Sequence, residues 1–286
     1  MALGVWRIRT GQAVVLARGD CESGPSELLD PSMTIATLLG DQEPSIDHLA
    51  DLRSYGAVPD GAPVLAPIDS QPVWAAGVTY ARSLSARMEE ARDGGDVYDR
   101  IYTAARPELF FKSAGEDAVG TGGQLGIRAD STWSVPEPEL GVVADHSGRP
   151  RGYVLGNDMS SRSIEGDNPL YLPQAKTYDR SCGIGPCIVP VAAAGNWRDL
   201  TIELKVERQQ HTIFDQRTRL TALRRTPSEL LGWLNRANSF PNGVVLLTGT
   251  GIVPPPDFTL RERDLVVIRC PGLGTLRNEI ITVGRS

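Results

Sequence analysis

Lysine is nearly missing from this 286-residue chain: of its 29 basic residues only Lys112, Lys176 and Lys205 are not arginine. A coding bias toward arginine accounts for the scarcity, yet lysine is the compact, titratable cation where arginine is a planar fork that stays charged, so the surviving positions are informative. Cysteine is sparse too. Cys21, Cys182, Cys187 and Cys270 are irregularly spaced, which excludes a disulfide framework or a zinc pattern and fits a reduced, cytoplasmic setting. No apolar run approaches the length of a membrane span, and the N-terminus has no charged stretch leading into an apolar one, so no membrane association is expected. A basic surplus is also lacking. With 35 acidic residues the formal charge is −6, which argues against a nucleic-acid or membrane-surface partner.

Glycine (30) and proline (21) are plentiful and disfavour an all-helical architecture. Strand-type runs recur at Val5–Arg9, Ala13–Ala17, Val73–Val78, Leu109–Lys112, Gly141–Ala144, Tyr153–Asn157, Thr201–Glu207, Val244–Gly249 and Leu265–Cys270. Helices are expected at Thr34–Leu39, Ile46–Ser54 and Arg82–Asp93. The clearest start is Thr226-Pro227-Ser228-Glu229, a capping box with proline at the first helical position. The class is therefore β-rich α+β. Residues 1–70 form a small N-terminal α+β module and residues 71–286 a β-rich domain.

The chemistry concentrates in Pro136-Glu137-Pro138-Glu139-Leu140. On a strand, Glu137 and Glu139 project from one face, and Pro138, lacking an N–H, suits an edge or a bulge. The turn-rich Asp145–Pro150 then leads into a return strand ending at Asp158. A symmetric hairpin with Ala144 opposite Arg151 sets Gly156 against Glu139 and Asp158 against Glu137. An isolated E-x-E is ordinarily a pair of solvated charges; the opposing aspartate changes the reading. Three converging carboxylates repel one another unless a cation sits among them or one is protonated. Oxygen-only donors favour a hard cation, Mg2+ first, with Mn2+ or Ca2+ as the alternatives.

Several motifs in order carry a family resemblance: Arg106-Pro107-Glu108-Leu109-Phe110-Phe111-Lys112, Pro136–Leu140, Gly156-Asn157-Asp158-Met159-Ser160-Ser161-Arg162, and Gln174-Ala175-Lys176-Thr177-Tyr178-Asp179 with Gly185-Pro186. From about residue 72 onward the chain resembles the fumarylacetoacetate hydrolase superfamily. The resemblance implies a mixed β-sandwich roll, a homodimer or higher homo-oligomer, and a divalent metal on Glu137, Glu139 and Asp158 that chelates a small 2-oxo acid. Chelation polarises the carbonyl and stabilises an enolate, so a C3 proton becomes removable at neutral pH. One departure matters. Hydrolytic members activate water with a histidine just after the strand resembling Ala75–Tyr80, and this chain has no histidine between His48 and His146.

Tyr80-x-Arg82, Val97-Tyr98-Asp99-Arg100, Leu170-Tyr171-Leu172-Pro173-Gln174-Ala175-Lys176 and Leu247-Thr248-Gly249-Thr250-Gly251-Ile252 resemble instead the 2-keto-3-deoxy-arabinonate dehydratase branch. That resemblance implies conversion of a 2-keto-3-deoxy-pentonate to 2,5-dioxopentanoate in pentose catabolism. Glu108 and Lys176 are then the candidate acid–base pair, and Thr250, Lys112 and Arg82 candidate substrate contacts. Two other readings stand beside it: hydrolysis, decarboxylation or tautomerisation of an acylpyruvate-like or oxaloacetate-like 2-oxo acid on the same metal, and metal-dependent 2-oxo-acid binding without turnover.

Overall fold

The computed structural model describes residues 2–83, 85 and 102–285. The helix expected over Arg82–Asp93 and the Val97–Arg100 motif thus lie largely or wholly outside the described residues. The strands in chain order are β1 (Leu3–Thr10), β2 (Ala13–Asp20), β3 (Gly24–Leu28), β4 (Val64–Leu65), β5 (Val73–Gly77), β6 (Glu108–Ser113), β7 (Gln124–Arg128), β8 (Ser134–Val135) and β9 (Pro138–Ala144). There follow β10 (Pro150–Asp158), β11 (Ser160–Ser161), β12 (Cys182–Pro190), β13 (Thr201–Arg208), β14 (His211–Arg219), β15 (Val244–Leu247), β16 (Leu265–Cys270) and β17 (Gly274–Val283).

A ten-stranded sheet runs β3-β2-β1-β12-β10-β9-β15-β5-β6, with β4 on β1; a five-stranded sheet runs β14-β13-β16-β17-β7. Pairing is antiparallel except for β15 with β5 and β17 with β7, so both sheets are mixed. The central strands of the large sheet read as unbroken apolar runs because both their faces are covered. Leu140, Val142, Tyr153, Leu155, Val244 and Leu246 point to a core shared with Ile202, Leu204, Val206 and Ile268 of the smaller sheet. Val143, Val154, Val245 and Leu247 alternate onto the other face, against Leu29, Ile35, Leu38 and Ile46 from the N-terminal segment. Strand β13, by contrast, buries every second residue and leaves the others toward water.

The β9–β10 hairpin holds the expected register over most of its length, with Gly156 opposite Glu139 and Asn157 opposite Pro138. Near the turn the expectation fails: Ala144 faces Pro150, and Arg151 is the extra residue of a bulge. The bulge turns the buried Arg151 guanidinium onto Ser45 Oγ (2.8 Å) and Asp47 (3.2 Å), clasping the N-terminal segment to the hairpin. Pro138 is not on an edge, since β9 lies between β10 and β15. It is the first residue of its strand, where a missing N–H costs little. Thr34 and Thr226 cap the helices Ile35–Leu38 and Pro227–Leu234, but the expected Ile46–Ser54 helix is only a 3-10 turn, Ile46–His48. No helix among the described residues is long and apolar enough to cross a membrane.

Candidate active site

Glu137, Glu139 and Asp158 belong to the residue series that points to the N-terminal-segment face of the large sheet, at one end of β9 and β10. Asp158 N–H donates to Glu137 C=O at 2.9 Å, which sets the two side by side. All three are buried, and each offers an oxygen within 4.8 Å of the others'. Magnesium binds oxygen at about 2.1 Å, so ligands on opposite sides of the ion are about 4.2 Å apart. A trio this close, made only of carboxylate oxygens, fits a hard divalent cation.

Around the trio stands a shell of cations and N–H groups. Lys176 Nζ donates to Glu137 Oε2 (2.8 Å), Asp158 Oδ2 (3.0 Å) and Ser160 Oγ (2.5 Å). Lys112 Nζ meets the other aspartate oxygen, Oδ1, at 2.6 Å, and donates to the carbonyls of Met159 (2.9 Å) and Lys176. Arg162 Nη2 lies 2.6 Å from Glu137 Oε1, and its Nη1 lies 3.5 Å from Glu165. Gly249 N–H donates to Glu139 Oε2 at 2.6 Å. Burial, reinforced by the charges of Asp158 and Glu137, raises the Glu139 carboxyl well above the usual glutamate range, against the opposing pull of Lys176 and the Gly249 amide. Burial and the Glu139 charge likewise raise the Tyr80 phenol.

Glu137, Glu139, Asp158, Arg162 and Lys176 line a pocket together with Gly77, Val78, Phe110, Gly249 and Thr250. Gly77 has a specific reason to be glycine: a Cβ there would come within 2.0 Å of Glu108 Oε2. Glu108, opposite Gly77 in the β5–β6 ladder, thus lays its carboxylate over the backbone of a residue that lines the pocket. Gly249, at φ +92°, brings its amide to Glu139, and a Cβ there would sit 1.9 Å from Thr79 Oγ1.

The eight expected site residues are thus distributed unevenly. Glu137, Glu139, Asp158 and Lys176 come together, and Thr250 lines the same pocket; Glu108 is not among the lining residues and reaches the site's edge only through Gly77. Thr250 Oγ1 turns back to Ile252, donating to its C=O at 3.2 Å and accepting from its N–H at 3.1 Å. Lys112 is fully buried against Asp158, braces the backbone of two site segments and is not among the residues lining the pocket. Arg82 is exposed on the helical turn at residues 81–83 and is not among the residues lining the pocket. Arg162 is the residue that sequence reasoning left without a role, although it stands in the quoted Gly156–Arg162 motif. None of the three histidines lines the pocket; His146 and His48 are exposed beside Asp41 and Glu43.

Residues 73–281 match the family model described as fumarylacetoacetate (FAA) hydrolase C-terminal. The chain is 46% identical over 244 residues, 84% of each chain, to a probable 2-keto-3-deoxyxylonate dehydratase of Haloferax volcanii. It is 38% identical over 242 residues, 84% of this chain and 80% of the other, to the 2-dehydro-3-deoxy-D-arabinonate dehydratase of Saccharolobus solfataricus. A solved structure of 2-keto-3-deoxy-D-arabinonate dehydratase complexed with magnesium and 2,5-dioxopentanoate superposes over the full length of both chains, with a TM-score of 0.84 and 30% identity.

Proposed function

The chain belongs to the fumarylacetoacetate hydrolase family, and we propose that it is a magnesium-dependent dehydratase converting a 2-keto-3-deoxy-pentonate to 2,5-dioxopentanoate. The observation that carries this reading is a buried carboxylate trio joined to Lys176, in a pocket that no histidine lines. Hydrolysis of a carbon–carbon bond needs a base for water. Dehydration activates no water, and its base acts on the C3 proton instead.

Glu137, Glu139 and Asp158 would hold the ion, which when bound supplies positive charge to the C1 carboxylate and C2 ketone and acidifies C3. Lys176, against the same carboxylates, lends its charge to the oxyanion that develops at C2. Glu108 takes the C3 proton as a carboxylate and returns it to the departing C4 hydroxyl, which leaves as water. A proton shift from C5 to C3 then gives the C4=C5 enol, and transfer of its O5 proton to C4 leaves the C5 aldehyde. Thr250, with its short backbone neighbours Gly249 and Gly251, borders the substrate carboxylate. The same reading makes the protein a cytoplasmic homo-oligomer of pentose breakdown, with residues 1–70 as an accessory module; the motif resemblance supports the oligomer and the pathway class, sparse cysteine the compartment, and the proline-rich stretch before residue 72 the module.

The test is to supply the protein and Mg2+ with 2-keto-3-deoxy-pentonate and, separately, with acetylpyruvate. Semialdehyde formation from the first without loss of diketone absorbance from the second is expected. Diketone cleavage without dehydration would sink the assignment. Glu108→Gln should keep Mg2+ binding and lose turnover by about 10²-fold or more.

A further inference from the structure

Each carboxylate of the trio has two differently held oxygens. One is held by a group other than Lys176: Glu137 Oε1 by Arg162, Asp158 Oδ1 by Lys112, Glu139 Oε2 by the Gly249 amide. The second oxygens of Glu137 and Asp158 both meet the Lys176 ammonium, at 2.8 and 3.0 Å. Lys176 lines the pocket, whereas Lys112 lies behind Asp158 and lines a separate outer cleft.

We propose that the Lys176 ammonium is a built-in competitor of the divalent ion for Glu137 Oε2 and Asp158 Oδ2, and that metal binding passes it on to the anionic substrate. The proposal rests on the trio being the metal site. Two cations cannot share two oxygens without strong repulsion in a buried setting. An ammonium displaced there keeps Ser160 Oγ but loses its anionic partners, and a buried charge without a counter-charge is costly. The carboxylate and developing oxyanion of a 2-oxo acid supply it. The backbone is ready for such a move: the Lys176 carbonyl is pinned by Lys112 Nζ, so the main chain is held while the four-carbon stem pivots. One side chain thereby links metal occupancy to placement of the catalytic charge.

The experiment is calorimetric titration of Mg2+, repeated with Mn2+, into the wild type and the variants Lys176→Met, Lys176→Gln and Lys112→Met. Both Lys176 variants should bind the ions roughly tenfold or more tightly than wild type, despite lost turnover. Lys112→Met, which removes an equal charge from the rear oxygen of Asp158, should not tighten binding. Unchanged or weaker binding by the Lys176 variants that fold, or equal tightening by Lys112→Met, overturns the proposal. The hand-over is read by adding 2-oxobutyrate: it should strengthen Mg2+ binding by a larger factor in wild type than in Lys176→Gln, and equal factors refute it. A wild type that binds neither ion refutes the metal reading instead, so the two failures are distinguishable.

Discussion

Glu137 is a carboxylate between two cations, Arg162 on Oε1 and Lys176 on Oε2. Arg162 reaches both Glu137 and Glu165 with separate nitrogens, which a lysine cannot do. Arg162→Lys keeps the charge and loses the fork. Mg2+ affinity measured by calorimetry should fall about 10- to 100-fold, as for groups that orient metal ligands; unchanged affinity would make Arg162 a bystander. The trio itself was readable because alternation along a strand and pairing across a hairpin are local rules. Arg162 was not, since nothing in a position four residues past Asp158 says that it folds back onto Glu137. The bracing position of Lys112 was hidden for a related reason: two of its partners are backbone carbonyls, and carbonyls carry no sequence signal.

Among the elements, the hairpin held its register through a wrong guess about its turn, because a one-residue bulge at Arg151 absorbed the difference before the site was reached. Strand β12, which pairs with both β1 and β10, escaped notice since Gly183, Gly185 and Pro186 break the apolar run. The β5–β6 ladder offers a clean test of Glu108. In Gly77→Ala the new methyl meets the far end of a flexible side chain, so the strand should persist while the Glu108 carboxylate is pushed aside. Turnover should drop by about 10²-fold with Mg2+ affinity intact. Equal losses of both would instead mean that the pocket wall had collapsed.

At the scale of the molecule, the large sheet carries the apolar core on both faces and the carboxylates at one end, so site charge and fold stability are linked. Glu139 has its folded pKa raised by burial and by Asp158 and Glu137. Its contribution to stability is therefore present below the ordinary glutamate value of about 4.3 and lost as pH rises through the elevated one. A divalent ion binds the charged form and offsets that loss. The increase in Tm produced by saturating Mg2+ over EDTA should be larger at pH 8 than at pH 5.5 by scanning calorimetry. Equal increments would detach Glu139 from the ion. The β-rich class followed from glycine, proline and strand-type runs, but the layering did not, because the partners that cover each face lie far apart in sequence.

That distance bears on how the protein reaches its native state. The Gly249–Glu139 bond closes over 110 residues, Lys112–Met159 over 47 and Lys176–Glu137 over 39. Contacts of such separation form slowly and late, after the entropy of closing long loops has been met. An ion that needs the finished trio has no partial site to nucleate. In refolding from urea, Mg2+ should leave the folding limb of the chevron where it is and slow the unfolding limb, since it stabilises only interactions absent from the transition state. The metal would then act as a latch on a completed fold, not as a template for it.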